Sequence, residues 1–285
     1  MMGGVPKGTL EAFGRAPSVL ALHGFGATPE EVAMAIEIAG DLGLRATAPL
    51  LPGHGTSVED LAQTGFEDWL GAAERAFEEL GSVGPVIVVG SSMGSLLALS
   101  LAADHPAQVL GVAALAPATR LAWPFPSWAL ALVCGLRIPD FSLPKSSVDI
   151  RDAVLRKQQV TYDAQPAYAG NQVRLGGRRV EKRLSEIRCP AFVAHGRHDH
   201  VCPVRNAYRV YARLGTPAWE KELLILPRSY HIITRDVERG LLRTALYDFV
   251  RRLLPRMENG RAQVPVEPYP PPALPVSERL VTTSK

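Results

Sequence analysis

The sequence predicts an α/β fold: a doubly wound, mostly parallel sheet with a small inserted cap. Three observations carry this expectation. Between residues 17 and 250, short apolar runs alternate with longer stretches of helical apolar spacing, the rhythm of strands joined by crossover helices. Most of the short runs are apolar at successive residues rather than at every second one, as strands covered on both faces are. The stretch from Thr119 to Ser185 interrupts the rhythm and is far longer than one crossover helix requires.

Six runs read as strands: SVLALHG (18–24), ATAPLLPG (46–53), VIVVGSS (86–92), GVAALAPA (111–118), AFVAHG (191–196) and ELLILP (222–227). Between them, residues 29–43, 66–81, 93–105, 204–215 and 237–254 have helical apolar spacing, and several of these stretches stop at Gly. In the first, Thr28 precedes Pro29 and Glu31 follows three residues on. That pattern predicts an N-cap, a first-turn proline and a capping box together. The uncharged run 80–103 is long enough to span a bilayer. Gly84, Pro85, Gly90, Gly94 and the Ser91–Ser92 pair divide it, so it reads as a buried strand, a tight turn and a buried helix. The insert begins with Trp123, Pro124, Phe125 and Pro126, runs on through apolar WALALVCGL and ends in a charged stretch from Asp149 to Tyr162. From Asn259 the chain is rich in Pro and poor in bulky apolar residues, the composition of a disordered tail. The expected division is a core in two parts, 1–118 and 186–258, a cap over 119–185 and a tail over 259–285.

Composition narrows the function. Lys+Arg number 31 and Asp+Glu 28, for a net charge of 31 − 28 = +3, which offers nothing to attract nucleic acid or an anionic membrane. Cys134, Cys189 and Cys202 are too few and too scattered for a disulfide framework, and no CxxC pair stands ready for zinc. Free thiols favour a reducing compartment. The first fifteen residues lack the apolar core of a signal peptide. A cytoplasmic protein without a cofactor is the expectation.

Gly90-Ser91-Ser92-Met93-Gly94 is a G-x-S-x-G between an apolar strand and an apolar helix, the setting of a nucleophile elbow. A sharp turn there lifts the Ser92 hydroxyl above the sheet edge, and the crowding this causes leaves room only for small residues at 90 and 94. Free N–H groups at the start of the following helix favour negative charge beside it. His23-Gly24-Phe25-Gly26 follows the first core strand, where such an architecture places its second oxyanion donor, so the backbone N–H groups of Phe25 and Met93 are the candidates. A dinucleotide loop is excluded, because Pro29 stands where its third glycine belongs. Chain order then predicts an acid after a later strand and a histidine after the last one. Asp199 and His231 occupy those places, at the carboxyl ends of strands where open α/β sheets bind ligands. The predicted triad is Ser92, Asp199 and His231. His195, His198, Asp199 and His200 also invite a metal reading, but a flexible loop lacks ligand spacing and the metal would consume the triad's acid. No metal is expected. His23 and His54 read as structural hydrogen-bonders lining nearby loops.

HGFG, PGHG, QTGFEDW, GSSMG, GRHDHVCP and SYHII, in this order, resemble the short-cap bacterial carboxylesterases and monoacylglycerol lipases of the α/β-hydrolase superfamily. The resemblance spans roughly residues 17–250. It implies a serine hydrolase of short- to medium-chain carboxylic esters or monoglycerides, with the same triad and the same two oxyanion donors. The partner is then a small ester or lipid, met at most through transient contact of the cap with a lipid surface; the oligomeric state stays open. Trp123, Phe125, Trp128 and Leu132 are the candidates for the wall of an acyl pocket, against ordinary core packing as the alternative. Other uses of the same triad are thioester, peptide or carbon–carbon bond hydrolysis, and some folds of this kind only bind small ligands. Haloalkane dehalogenases and epoxide hydrolases are disfavoured, because they use aspartate where this chain has Ser92.

Overall fold

The computed structural model describes residues 8–122, 142–144, 148–159 and 161–254. Trp123, Phe125, Trp128 and Leu132, and the Pro-rich segment from Asn259, lie outside the described residues. Seven strands form the main sheet: β1 (Leu10–Ala12), β2 (Arg15–Leu22), β3 (Leu44–Ala48), β4 (Val86–Ser91), β5 (Val109–Leu115), β8 (Ala191–Gly196) and β9 (Lys221–Leu226). Their order is β1-β3-β2-β4-β5-β8-β9. All neighbours are parallel except β1, which runs antiparallel to β3. The short strands β6 (Ser142–Pro144) and β7 (Ala164–Pro166) pair separately within the insert.

The helices are α1 (Ala33–Asp41), α2 (Val58–Ala62), α3 (Phe66–Gly81), α4 (Met93–Asp104), α5 (Ala153–Gln158), α6 (Ala167–Arg183), α7 (Arg205–Arg213) and α8 (Arg239–Leu253). Along β4, Val86 and Val88 face a core built with α3, α4, α6 and α7, while Ile87 and Val89 face a second core built with α1 and α8. This alternation, with both faces covered, buries the whole of β4 and makes it apolar up to Gly90. Helix α4 is buried over nearly all its length, so it has no polar stripe to present. No helix among the described residues is long and apolar enough to cross a membrane.

The sequence expectations meet the structure unevenly. Helix α3 spans Phe66–Gly81, as its pattern predicts. The predicted strand over 46–53 ends at Ala48, where Pro49 and Pro52 withhold backbone donors and Gly53 turns at φ +73°. The capping box at Thr28 does not form. Thr28 is extended and Pro29 opens a short 3₁₀ turn, but the Thr28 side chain caps nothing, and Glu31 reaches elsewhere. Strand β9 is mostly half-buried rather than fully covered, because it is the sheet's edge.

Helix α6, within the insert, has no apolar run to announce it, and Gly176 and Gly177 read as breakers. Both glycines are contact points. A Cβ at Gly176 would lie 2.2 Å from the Phe66 ring, and one at Gly177 would lie 2.7 Å from the Ala118 carbonyl oxygen. Close approach to the core decided these residues, against helix propensity. Gly40, exposed on α1, has nothing within 4 Å of a would-be Cβ. Two identical substitutions should therefore act with opposite sign. Gly40→Ala should stabilise by up to about 1 kcal/mol. Gly177→Ala should destabilise by roughly 1–3 kcal/mol, the clash outweighing the propensity gain. Denaturant midpoints moving in the same direction for both variants would contradict this account.

Candidate active site

Strand order reverses between β2 and β4: the chain passes from β2 to β3 on one side, then to β4 on the other. Such a switch point opens a crevice at the carboxyl ends of the strands. Leu22 pairs with Gly90 across it, so three further residues on each strand bring Phe25 and Met93 to the same end of the sheet. Ser92 stands at the turn with φ +52° and ψ −114°, a backbone conformation that costs a non-glycine residue on the order of 1–3 kcal/mol. The glycines explain themselves. A Cβ at Gly90 would lie 2.1 Å from the Gly94 carbonyl oxygen, and one at Gly94 would lie 2.0 Å from that of Leu22. The Ser92 N–H still donates to Leu115 O at 2.8 Å, so β5 anchors the strained residue. Met93 begins α4, and amides of a helix's first turn have no acceptor within the helix.

The structure brings Ser92, His231 and Asp199 into one chain of hydrogen bonds. Ser92 Oγ lies 2.9 Å from His231 Nε2, and His231 Nδ1 lies 2.7 Å from Asp199 Oδ2. The carboxylate can only accept, so Nδ1 carries the proton and Nε2 is free to take one from the serine. Asp199 is anchored further: its Oδ1 accepts from the Val201 and Cys202 N–H groups at 2.8 and 2.7 Å. Burial alone would raise its pKa, but the imidazoles of His231 and His195 more than reverse this and hold it well below the usual carboxylate range. For His231, burial pulls the pKa down, while the charges of Asp199, Glu31 and Asp149 with the Asp199 hydrogen bond pull it up further, so the net shift from 6.5 is upward. A hydroxyl, an imidazole and a buried carboxylate in this order can move a proton off the serine and stabilise the imidazolium that results.

The surrounding loops are stitched by residues to which the sequence reading gave no part in bracing the triad. His195 is fully buried, with Nε2 lying 3.0 Å from Cys202 O and 3.0 Å from Asp199 Oδ2. Both neighbours are acceptors, so Nε2 is a donor and the ring braces the acid. Its spacing of four residues before Asp199 is the one sequence signal for this. His198 points to solvent and His200 turns to Asp149 at 2.7 Å, so the three histidines of the loop diverge instead of converging on an ion. Asp149 also joins the insert to the histidine loop, since its carbonyl accepts from the His231 and Ile232 N–H groups. Asp236, fully buried, accepts from the backbone of Arg151, Asp152, Tyr230 and Val237. Gly196 lets the acid and histidine loops touch, for a Cβ there would lie 1.9 Å from Tyr230 O.

Beneath the HGFG loop, His23, Phe25, His54 and Trp69 form edge-on ring contacts. His23 donates from Nδ1 to Gly24 O and accepts the Leu51 N–H at Nε2. His54 bonds Pro52 O, and Trp69 Nε1 donates to the same carbonyl. Burial is the main cause lowering the pKa values of His23 and His54, to about 3 and about 4. Neither ring carries charge near neutral pH.

These values set the pH dependence. A base must be neutral to accept a proton, and His231 is the histidine that contacts the serine hydroxyl, with its pKa shifted upward by the facing carboxylates. The acid limb of kcat/KM should therefore be a single ionisation with its midpoint above about 6.5, the unperturbed value. Asp199→Asn should lower turnover by roughly 10⁴-fold and move that midpoint down, because the charge that raises it is gone. A limb unchanged in the variant would refute the pairing.

The chain resembles known proteins along nearly all the described fold. It is 29% identical over 225 residues to a thermostable monoacylglycerol lipase of Bacillus sp. (strain H-257), covering 79% of this chain and 86% of the relative. It is 27% identical over 238 residues to a carboxylesterase of Bacillus subtilis (strain 168), covering 83% and 93%. Among solved structures, one from work on LipS and LipT, two metagenome-derived lipolytic enzymes, superposes with a TM-score of 0.79 at 28% identity, covering 86% of this chain and 97% of that one. The family model described as serine aminopeptidase, S33, matches residues 15–238, a span that holds the sheet from β2 to β9 with Ser92, Asp199 and His231, and the chain belongs to that family of α/β hydrolases.

Proposed function

We propose that this protein hydrolyses short- to medium-chain carboxylic esters, monoacylglycerols among them, through an acyl-enzyme on Ser92. The observation that carries the reading is the unbroken relay from Asp199 through His231 to Ser92, with contacts of 2.7 and 2.9 Å. The names of the relatives, a monoacylglycerol lipase and a carboxylesterase, support the substrate class. His231 takes the serine proton as Oγ attacks the ester carbonyl. The Phe25 and Met93 N–H groups hold the oxyanion, helped by the amino end of α4. The intermediate then expels the alcohol, which takes the proton from His231. Water repeats the sequence on the acyl-enzyme and frees the acid. Asp199 keeps the imidazole oriented and stabilises its charged form. The substrate is a small ester met in the cytoplasm, and residues 119–185 act as a cap whose apolar segment gives transient contact with lipid.

The test is a panel of p-nitrophenyl esters, monoacylglycerols, thioesters and amino-acid anilides, with wild type and Ser92→Ala. Esters and monoacylglycerols should lead the panel, and Ser92→Ala should fold normally while losing a factor on the order of 10⁶ in turnover. Fluorophosphonate should label Ser92 alone. Anilides outrunning esters would mean a peptidase, and labelling at another serine would remove Ser92 from its role.

The apolar sequence from Trp123 to Val133 suggests an acyl site. Each further buried methylene should contribute up to about 0.8 kcal/mol, so kcat/KM should rise with acyl length to an optimum at medium chains. Replacing residues 123–136 by a short Gly/Ser linker should flatten that slope. An unchanged slope and optimum in the folded variant would place the acyl site elsewhere.

A further inference from the structure

The HGFG loop is held by side chains more than by its own backbone. Beyond the end of β2, Gly24 and Gly26 flank Phe25, Gly26 has φ +68°, and the Ala27 N–H reaches the Gly24 carbonyl at a long 3.3 Å. Such a loop would leave the Phe25 N–H free to wander, yet an oxyanion donor is effective only when it is aimed in advance. Besides His23, whose Nδ1 donates to the Gly24 carbonyl at 2.9 Å, two side chains from outside the loop grip it. The Thr161 hydroxyl donates to Gly26 O at 3.1 Å. On the other side of Phe25, Glu31 is buried in the 3₁₀ turn, and its Oε1 accepts the Gly24 N–H at 3.1 Å. This is the glutamate whose sequence position suggested a capping box. It stands close to the reacting centre: a Cβ at Gly24 would lie 2.8 Å from Glu31 Oε1 and 3.3 Å from Ser92 Cβ. A carboxylate is the stronger acceptor for such a task, since a hydrogen bond to a charged group is about twice as strong as a neutral one.

We infer that Glu31 is a positioning residue for the oxyanion loop: by holding the Gly24 N–H it fixes the His23–Gly24 peptide, and together with the His23 Nδ1 bond to the Gly24 carbonyl it sets the direction of the next peptide and keeps the Phe25 N–H beside Ser92. The inference rests on the ester-hydrolase reading. Glu31 touches no reacting atom and acts through the loop. Its charge also faces His231, together with those of Asp199 and Asp149, so an effect of charge must be separated from an effect of reach.

Two substitutions in the full chain separate them. Glu31→Gln keeps a carbonyl acceptor at the same reach and removes the charge. Glu31→Asp keeps the charge and withdraws the acceptor by about one C–C bond, ~1.5 Å. Measured are kcat and KM for p-nitrophenyl butyrate, the inhibition constant of an alkylboronic acid that forms a tetrahedral adduct on the serine, and near-ultraviolet circular dichroism. Glu31→Gln should keep kcat within about threefold of wild type, as a neutral bond replaces a charged one. Glu31→Asp should lose on the order of tenfold to a hundredfold in kcat, short of the full loss of an oxyanion donor. Its KM should barely change, and boronate affinity should fall in step with kcat. The proposal is overturned if both variants match wild type, if both fall equally, if Glu31→Gln is the worse of the two, or if either loses its folded spectrum. A wild type that neither turns over esters nor labels at Ser92 would sink the hydrolase reading first, and this proposal with it.

Discussion

The turn at Ser92 is the constraint on which the rest of the molecule depends. A non-glycine residue with φ +52° is held there only because its surroundings leave it no choice. Strand β4 is buried between β2 and β5, the Ser92 N–H is bound to Leu115 O, and α4 leaves the turn straight into the core. The approach of Gly94 to the carbonyls of Leu22 and His23 is the same constraint seen from β2. Because the helix packs so tightly on the strand, the serine is lifted into the crevice and the loop after β2 is brought up against it. Strain at one residue is thus the cost of a close helix–strand crossing that brings Ser92 and the loop after β2 together.

The other half of the site is assembled by buried carboxylates that accept backbone amides. Asp199 holds its own loop, Asp236 ties the insert's return segment to the histidine loop, and Glu238 accepts from the Arg228 N–H and the Ser229 hydroxyl. A buried carboxylate without partners would be unaffordable; one with two to four amide donors becomes a rigid node. Asp149 adds a cross-link, since one residue of the insert engages both His200 and the His231 backbone. His231 is therefore positioned by loops that are themselves clamped, and its distances to Asp199 and Ser92 do not depend on loop stiffness alone.

Electrostatics divides the buried histidines by function. His23 and His54 are desolvated among aromatic rings and carbonyls and stay neutral, so they serve as fixed donors and acceptors beneath the loop. His231 is as deeply placed but faces carboxylates, which reverses the sign of its shift. Neighbouring charge, and not burial, sets the opposite directions of these shifts.

The sequence by itself determined six of the main sheet's seven strands, five helices and the relative order of serine, acid and histidine. Those features have short-range causes: apolar runs of strand or helix length, and glycines that a strand–turn–helix crossing needs at positions 90 and 94. It did not determine β1, whose three residues carry no apolar run and are strand only because β3 offers them an edge. Nor did it show α6, where Gly176 and Gly177 argue against a helix until the contacts with Phe66 and Ala118 are known. The tasks of Asp149 and Asp236 were equally hidden, and that of His195 nearly so, because a polar residue acquires its task from the partners that folding brings to it. Glu31 is the sharpest case. Local spacing predicted a cap for its own helix, and the tertiary structure sent its carboxylate to Gly24, because the loop after β2 brings the Gly24 amide within its reach. Local patterns specify elements, and only their packing decides which buried donors and acceptors meet.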